Sequence, residues 1–294
     1  MRRLLIIGCG DVALRTIPLL KQGYRVFALV RNAAHFARLR AMGVVPLTGD
    51  LDDRNSLARI AGLADAVLHF APPPNSGVHD KRTRNLLSAL SQGQGRGRSL
   101  PKRLVYISTS GVYGDCGGAW VSETHPLKAT SPRSQRRVDA ERQIRDWAIR
   151  NQVKATILRV PGIYAADRLP LSRLQQGTPG IVASEDSYTN HIHADDLARI
   201  SIAALQRGRA CRVYHASDDS HLKMGEYFDS VADAFGMPRV PRISHAEAQR
   251  ALPETLLSFM NESRRLTNQR IKRELKVRLT YPTVADMLAT IKRR

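Results

Sequence analysis

Gly8-Cys9-Gly10-Asp11-Val12-Ala13 is the stretch on which the fold reading turns. It follows an apolar run at 3–8 and opens an amphipathic run at 12–22. Each small residue has a physical reason. Gly8 permits a tight turn, Gly10 lets the main chain approach a pyrophosphate, and Ala13 lets helix and strand pack closely. The pyrophosphate then rests on the helix N-terminus, whose free N–H groups and dipole favour an anion. Gly8, Cys9, Gly10, Asp11 and Val12 are therefore the expected phosphate turn of a dinucleotide site.

Outward from that turn, short β-branched runs alternate with helical patterns. Strands are predicted at 3–8, 25–30, 44–48, 66–70, 103–107, 154–159 and 212–215, with helices at 12–22, 82–92 and 133–150 among them. This alternation predicts a Rossmann-type, doubly wound parallel sheet with helices on both faces. After Arg159 the rhythm changes. Residues 162–188 are rich in Pro and Gly without clear strand–helix alternation, and 218–294 carry short helical patterns such as 224–235 and 262–272. The expected division is a dinucleotide-binding domain at 1–161 and 189–217, and a smaller substrate lobe at 162–188 and 218–294.

The second strand ends Ala28-Leu29-Val30-Arg31-Asn32. A site for NAD places an acid here to hold the ribose 2′-hydroxyl. Arg31 instead suits the 2′-phosphate of NADP. NADP is the expected cofactor, with NAD as the alternative.

The 294 residues suffice for this architecture. Cys9, Cys116 and Cys211 form no C-x-x-C pair, so neither a zinc site nor a disulfide framework is indicated. The apolar run Leu4-Leu5-Ile6-Ile7 is shorter than the roughly 7–15 residues of a signal core. No stretch approaches the ~20 apolar residues of a membrane span. A cytoplasmic location and no membrane partner are expected. The net charge of +20 admits three readings: arginine-rich composition on a solvated surface, attraction of anionic cofactors and substrates, or nucleic-acid binding. The arginines are scattered and no nucleic-acid module is visible, so the first is favoured and a nucleic-acid partner is not expected. The run Gln92-Gly93-Gln94-Gly95-Arg96-Gly97-Arg98-Ser99 reads as a loop, with an RNA contact as the weaker alternative.

Six further motifs follow in order. They are Gly49-Asp50-Leu51, His69-Phe70-Ala71-Pro72, Thr83-Arg84-Asn85-Leu86-Leu87, Ser108-Thr109-Ser110-Gly111-Val112-Tyr113-Gly114, Leu158-Arg159-Val160-Pro161-Gly162-Ile163-Tyr164 and His191-Ile192-His193-Ala194-Asp195-Asp196-Leu197. With the glycine turn they resemble the extended short-chain dehydrogenases/reductases, the NAD-dependent epimerase/dehydratase family. The resemblance implies that Asp50, Leu51, Phe70, Ala71, Pro72, Ser108 and Pro161 join the cofactor set. It also implies a Ser or Thr acting with a Tyr-x-x-x-Lys pair. Thr109 fills the hydroxyl position, where it holds a substrate oxygen or caps the local main chain.

The pair itself is missing. The fourth residue after each of the eight tyrosines is Ala28, Ser110, Gly117, Arg168, Ile192, Asp218, Val231 or Ala285. Aligned on Ala140-Glu141, Arg133 stands in the Tyr place and Arg137 in the Lys place, which resembles the family's atypical subgroup. Ser131-Pro132 is a good helix start. Positions 133, 137, 140, 144 and 148 then share one stripe, and its apolar members should face the sheet. By the resemblance Arg137 bonds the nicotinamide ribose. Neither arginine can release a proton, so Tyr164, Tyr188 and His191 are the candidate donors, while His193 reads as part of a helix start. The expectation is an NADP-dependent oxidoreductase or epimerase-like enzyme acting on a small substrate, an anionic one included, with a homodimer admitted. The alternative is a non-catalytic NADP-binding redox sensor.

Overall fold

The computed structural model describes residues 1–20, 23–92 and 99–292. Among them, seven strands form one parallel sheet: β1 (Arg2–Ile7), β2 (Tyr24–Val30), β3 (Val45–Thr48), β4 (Ala66–His69), β5 (Arg103–Thr109), β6 (Lys154–Val160) and β7 (Arg212–His215). Their order is β3-β2-β1-β4-β5-β6-β7. Each pairing is parallel. The chain winds outward from β1 in both directions, which makes the crevice beyond β1 and β4 the topological switch point.

Strand side chains alternate between faces, and each face has its own core. Leu4, Ile6, Ala28, Leu68 and Val105 pack with α1 (Asp11–Leu20) and with Leu197, Ile200 and Ala204 of α4 (Ala194–Arg207). Leu5, Ile7, Leu29, Val67 and Tyr106 pack with α2 (Lys81–Ser91) and α3 (Pro132–Arg150). Covering both faces explains why the strands read as apolar runs rather than alternating ones. Each buried Leu or Ile contributes about 1.5–3 kcal/mol. Ser131 caps α3 by accepting from Ser134 N at 3.2 Å, with Pro132 opening the helix. Ala140, Ile144 and Ala148 face the sheet as their spacing requires.

A separate core joins Tyr164, Leu174 and Val240 to Tyr227, Phe228 and Val231 of α5 (Met224–Ala234). It also takes Val284, Met287 and Leu288 of the last helix, Val284–Lys292. The chain after 218 does not stay there. Ile271, in the helix Gln269–Glu274, and Leu275 just beyond it return to the α1 face of the main sheet.

One local expectation fails. Residues 262–272 are not one helix. Arg265–Leu266 is a strand paired in parallel with Trp120–Val121, and Leu266 N donates to Asn190 Oδ1 at 2.8 Å. These distant hydrogen bonds override a helical pattern too short to stand alone. Residues 162–188 do contain regular structure. Gly162–Tyr164 pairs with His191–His193, and Gly180–Ile181 pairs with Arg242–Ile243. The glycine–arginine run at 93–98, and the expected end of the first helix at 22, lie outside the described residues. No helix among the described residues is long and apolar enough to cross a membrane.

Candidate functional site

A cavity of about 260 Å³ opens at the carboxyl ends of β1 and β2. Gly8, Cys9, Arg31, Asp50, Leu51, Ala71 and Pro72 line it, which brings seven expected residues together. Gly8 has φ +87°, and a Cβ there would lie 2.5 Å from Ala71 N. Ile7 O accepts from Phe70 N at 2.8 Å and Ala71 N at 2.9 Å, so the exit of β4 is pinned across the turn. A side chain at Gly8 would therefore meet fixed main chain, not a movable group.

Other members of the expected set are turned elsewhere. The side chains of Asp11 and Val12 do not line the cavity. Asp11 is held by Arg15 and Arg168, each at 3.0 Å, and Val12 packs on the core. Gly10 contributes only main chain, at the start of α1. The Phe70 ring also packs on the core. Ser108 donates to Glu141 Oε1 at 2.6 Å and is open to neither cavity. Pro161 lines a different cavity.

The rim at Arg31 is cationic. Asn32 accepts from Ala34 N and so caps the turn Ala33–His35, which presents His35 to the cavity beside Arg31. Arg82 also lines it. It is bonded to Asp52 at 2.8 and 2.6 Å and to the carbonyls of Pro72 and Pro73. The Arg82 guanidinium holds the Asp52 carboxyl below its usual range, with Arg31 adding to the effect. Burial pushes the Cys9 thiol up to about 11, opposed by nearby Arg38. His35 and Arg82 were missed. His35 lies one turn beyond Arg31 and was within reach of a spacing argument, whereas Arg82 arrives only through the tertiary fold.

A second cavity, of about 370 Å³, opens beyond β5 and β6. Thr109, Arg133 and Pro161 line it. Thr109 Oγ1 accepts from Gly111 N at 3.2 Å, so the hydroxyl caps the following turn and still has its proton to donate. Arg133 stands in the first turn of α3. Burial depresses its pKa, Glu262 opposes that, and Arg264 and Arg136 add to it. Arg137 does not line this cavity. Its Nη1 bonds Tyr106 Oη at 2.9 Å and the Ile107 carbonyl at 2.8 Å, against the end of β5.

The three candidate proton donors are sorted by depth. Tyr188 and His191 line the cavity, and Tyr164 does not. Burial holds His191 neutral, with its pKa down at about 3, and its ring lies 4.2 Å from that of Tyr227. Tyr164 is 1% exposed, and burial raises its pKa, followed by the charge of Asp218. His193 caps α4 by accepting from Asp195 N at 3.2 Å. No local pattern marks Arg173, Glu262 and Arg264, which line the same cavity.

Under the second cavity lies a buried polar chain. Arg159 grips Glu141 through Nε at 3.1 Å and Nη2 at 2.8 Å, and its Nη1 donates to Tyr113 Oη at 2.6 Å. His215 Nδ1 lies 2.8 Å from the Thr267 carbonyl. A carbonyl can only accept, so Nδ1 carries the proton, and Nε2 accepts from Tyr113 Oη at 2.6 Å. Ser108, Tyr113 and Arg159, all motif residues, are thus tied together structurally. Behind His191, Asp218 N donates to the His191 carbonyl at 2.8 Å, and burial lifts the Asp218 carboxyl to about 7.

Residues 16–216 match the NAD dependent epimerase/dehydratase family. The match begins just past the glycine turn, which the geometry at Gly8 supplies. The chain is 27% identical over 193 residues to a dTDP-glucose 4,6-dehydratase of Mycobacterium tuberculosis, spanning 58% of this chain and 56% of that one. It is 26% identical over 273 residues to the 2-alkyl-3-oxoalkanoate reductase of Stenotrophomonas maltophilia, spanning 82% and 78%. A conserved protein of unknown function from Silicibacter pomeroyi superposes with a TM-score of 0.81 at 29% identity, covering 100% of this chain and 99% of that one. A dTDP-glucose 4,6-dehydratase of Streptomyces venezuelae, solved with NAD bound, has a TM-score of 0.78 at 23% identity, covering 100% and 96%, and shares the fold.

Proposed function

The chain belongs to the NAD-dependent epimerase/dehydratase family, and on that premise we propose that it is an NADP-preferring oxidoreductase or epimerase-like enzyme acting on a small substrate. The observation that carries this reading is a pair of cavities beyond the carboxyl ends of neighbouring parallel strands. The first is walled by main chain at a positive-φ glycine, and the second by polar side chains.

The first cavity fits a dinucleotide. At Gly8 a side chain is excluded and the start of α1 is adjacent, as a pyrophosphate requires. Arg31 and His35 suit the 2′-phosphate of NADP, because a guanidinium pairs with phosphate through charge-assisted hydrogen bonds. When bound, the nicotinamide supplies a hydride donor or acceptor. In this reading Arg137 holds the nicotinamide ribose, and Thr109 donates to the substrate oxygen. Arg133 and Arg137 stay protonated, so the proton passes through Tyr188 or His191, the two candidates that reach the cavity.

The arginines at the Tyr and Lys places favour a second reading, a non-catalytic NADP sensor. The test is a screen of the protein with NADPH against small carbonyl compounds and nucleotide sugars. Cofactor absorbance and product epimers are followed separately, because epimerisation consumes no net cofactor. Turnover that falls at least tenfold in Thr109→Val supports the enzyme. Silence across the panel, with tight NADP binding and a cofactor-dependent change in oligomeric state, supports the sensor.

A further inference from the structure

More positive than negative side chains line the second cavity. Arg133, Arg173 and Arg264 line it, with Glu262 as the one acidic lining residue. Arg264 is 8% exposed and takes up that carboxylate, with its Nη2 at 2.8 Å from Glu262 Oε2, while Nη1 bonds the Gly114 carbonyl. Arg173 is different. Its guanidinium lies 4.2 Å over the Phe228 ring, and Nη2 bonds the Pro179 carbonyl at 3.2 Å. Among the described residues it has no carboxylate within ion-pair range. Burial depresses its pKa, and the more distant Asp186 opposes this only in part. Arg173 and Arg264 each also have a buried Nε–H without an acceptor.

A guanidinium removed from water without a counter-ion is costly to the fold. Here the cost falls at a cavity wall, where a ligand can relieve it. Resting on the reading of this cavity as the substrate site, the geometry points to a substrate that carries its own anionic group, a carboxylate or a phosphate, held by Arg173 together with Arg264. Arg173 is the anchor, because its charge is unmatched. The Phe228 ring fixes the plane of the guanidinium, and the N–H groups it has left can donate to an oxyanion. Arg133, at the place of the family's tyrosine, lies on the same cavity and adds to the field that draws the anion in.

The test titrates the NADP-loaded protein with succinate, inorganic phosphate, pyrophosphate and thymidine diphosphate, reading melting temperature and calorimetric heat. Wild type should show saturable binding of at least one anion. Arg173→Met should weaken that binding at least tenfold, and Arg173→Lys should weaken it less. Without anion, Arg173→Met should melt no lower than wild type, since it removes a half-buried charge with no counter-ion, so loss of binding is not loss of the fold. Preference for succinate identifies a carboxylate, preference for phosphate a phosphoester. Tighter pyrophosphate or thymidine diphosphate identifies a diphosphate-bearing substrate. Absence of saturable binding in wild type, or equal binding in wild type and Arg173→Met, overturns the inference. NADP binding is measured first on the same wild-type sample. Its failure sinks the proposed function, whereas NADP binding without anion binding sinks the inference alone.

Discussion

The cavity at Gly8 sits at strand ends that a local motif announces, while the cavity at Arg264 is walled by side chains from places far apart in the chain. Thr109, Arg133, Pro161, Arg173, His191, Tyr227 and Glu262 reach it from loops, helices and short strands spread over more than half the chain. The first needs particular backbone angles and absent side chains. The second needs particular functional groups and the buried polar scaffold beneath them. A family can therefore keep the first unchanged while the second is rebuilt. On the proposed reading, Arg133 at the place of the family's tyrosine is a change of that second kind.

The largest expected effect lies in the scaffold under the second cavity. Glu141 and Arg159 are each 2% exposed and bonded to one another twice. Glu141→Ala should cost about 3–5 kcal/mol in denaturant unfolding, because it strands a buried guanidinium. Replacing both by Leu and Met should recover much of that. A single-variant loss under about 1 kcal/mol would mean that the second cavity does not rest on its side chains.

Next is the turn. Gly8→Ala puts a Cβ against Ala71 N at φ +87°, where the neighbour is main chain and cannot swing aside. NADP binding should weaken at least a hundredfold, about 2.7 kcal/mol. Binding within threefold of wild type would remove the contrast between a main-chain wall and a side-chain wall.

The smallest of these effects is pH-dependent. Asp218 titrates near 7 in the fold and near 3.9 when unfolded. Its raised pKa contributes stability that is full below about pH 4 and lost as pH rises through about 7. His69, His191 and His215 act oppositely. Burial holds each at about 3, so their contribution is present above about pH 6.5 and lost on acidification. Asp218→Asn isolates the first effect. Its stability relative to wild type should rise by about 1–2 kcal/mol between pH 6 and pH 8. A constant difference across that range would show that the carboxyl is charged in the fold throughout.

Legibility followed the same division. The seven strands and the glycine turn were readable, because strand length, apolar runs and the spacing of small residues are properties of neighbouring residues. The stripe from Arg133 to Ala148 was readable for the same reason. Arg173 and Arg264 were not, since nothing local marks an arginine that the fold will bring to a cavity wall. The strand Arg265–Leu266 was hidden because its partners, Trp120–Val121 and Asn190, are remote in sequence. For Ser108 the motif fixes the position in the strand but not which face its hydroxyl meets. Its partner Glu141 lies on a helix one crossover away.

Calorimetric titration of the wild-type chain with NADP and NAD tests the proposed NADP preference most directly. With Arg31 and His35 at the rim and no acid at the end of β2, NADP should bind at least tenfold more tightly than NAD. Arg31→Asp should bring the two affinities together. Equal affinities in the wild type, tighter NAD, or no binding of either would contradict the account.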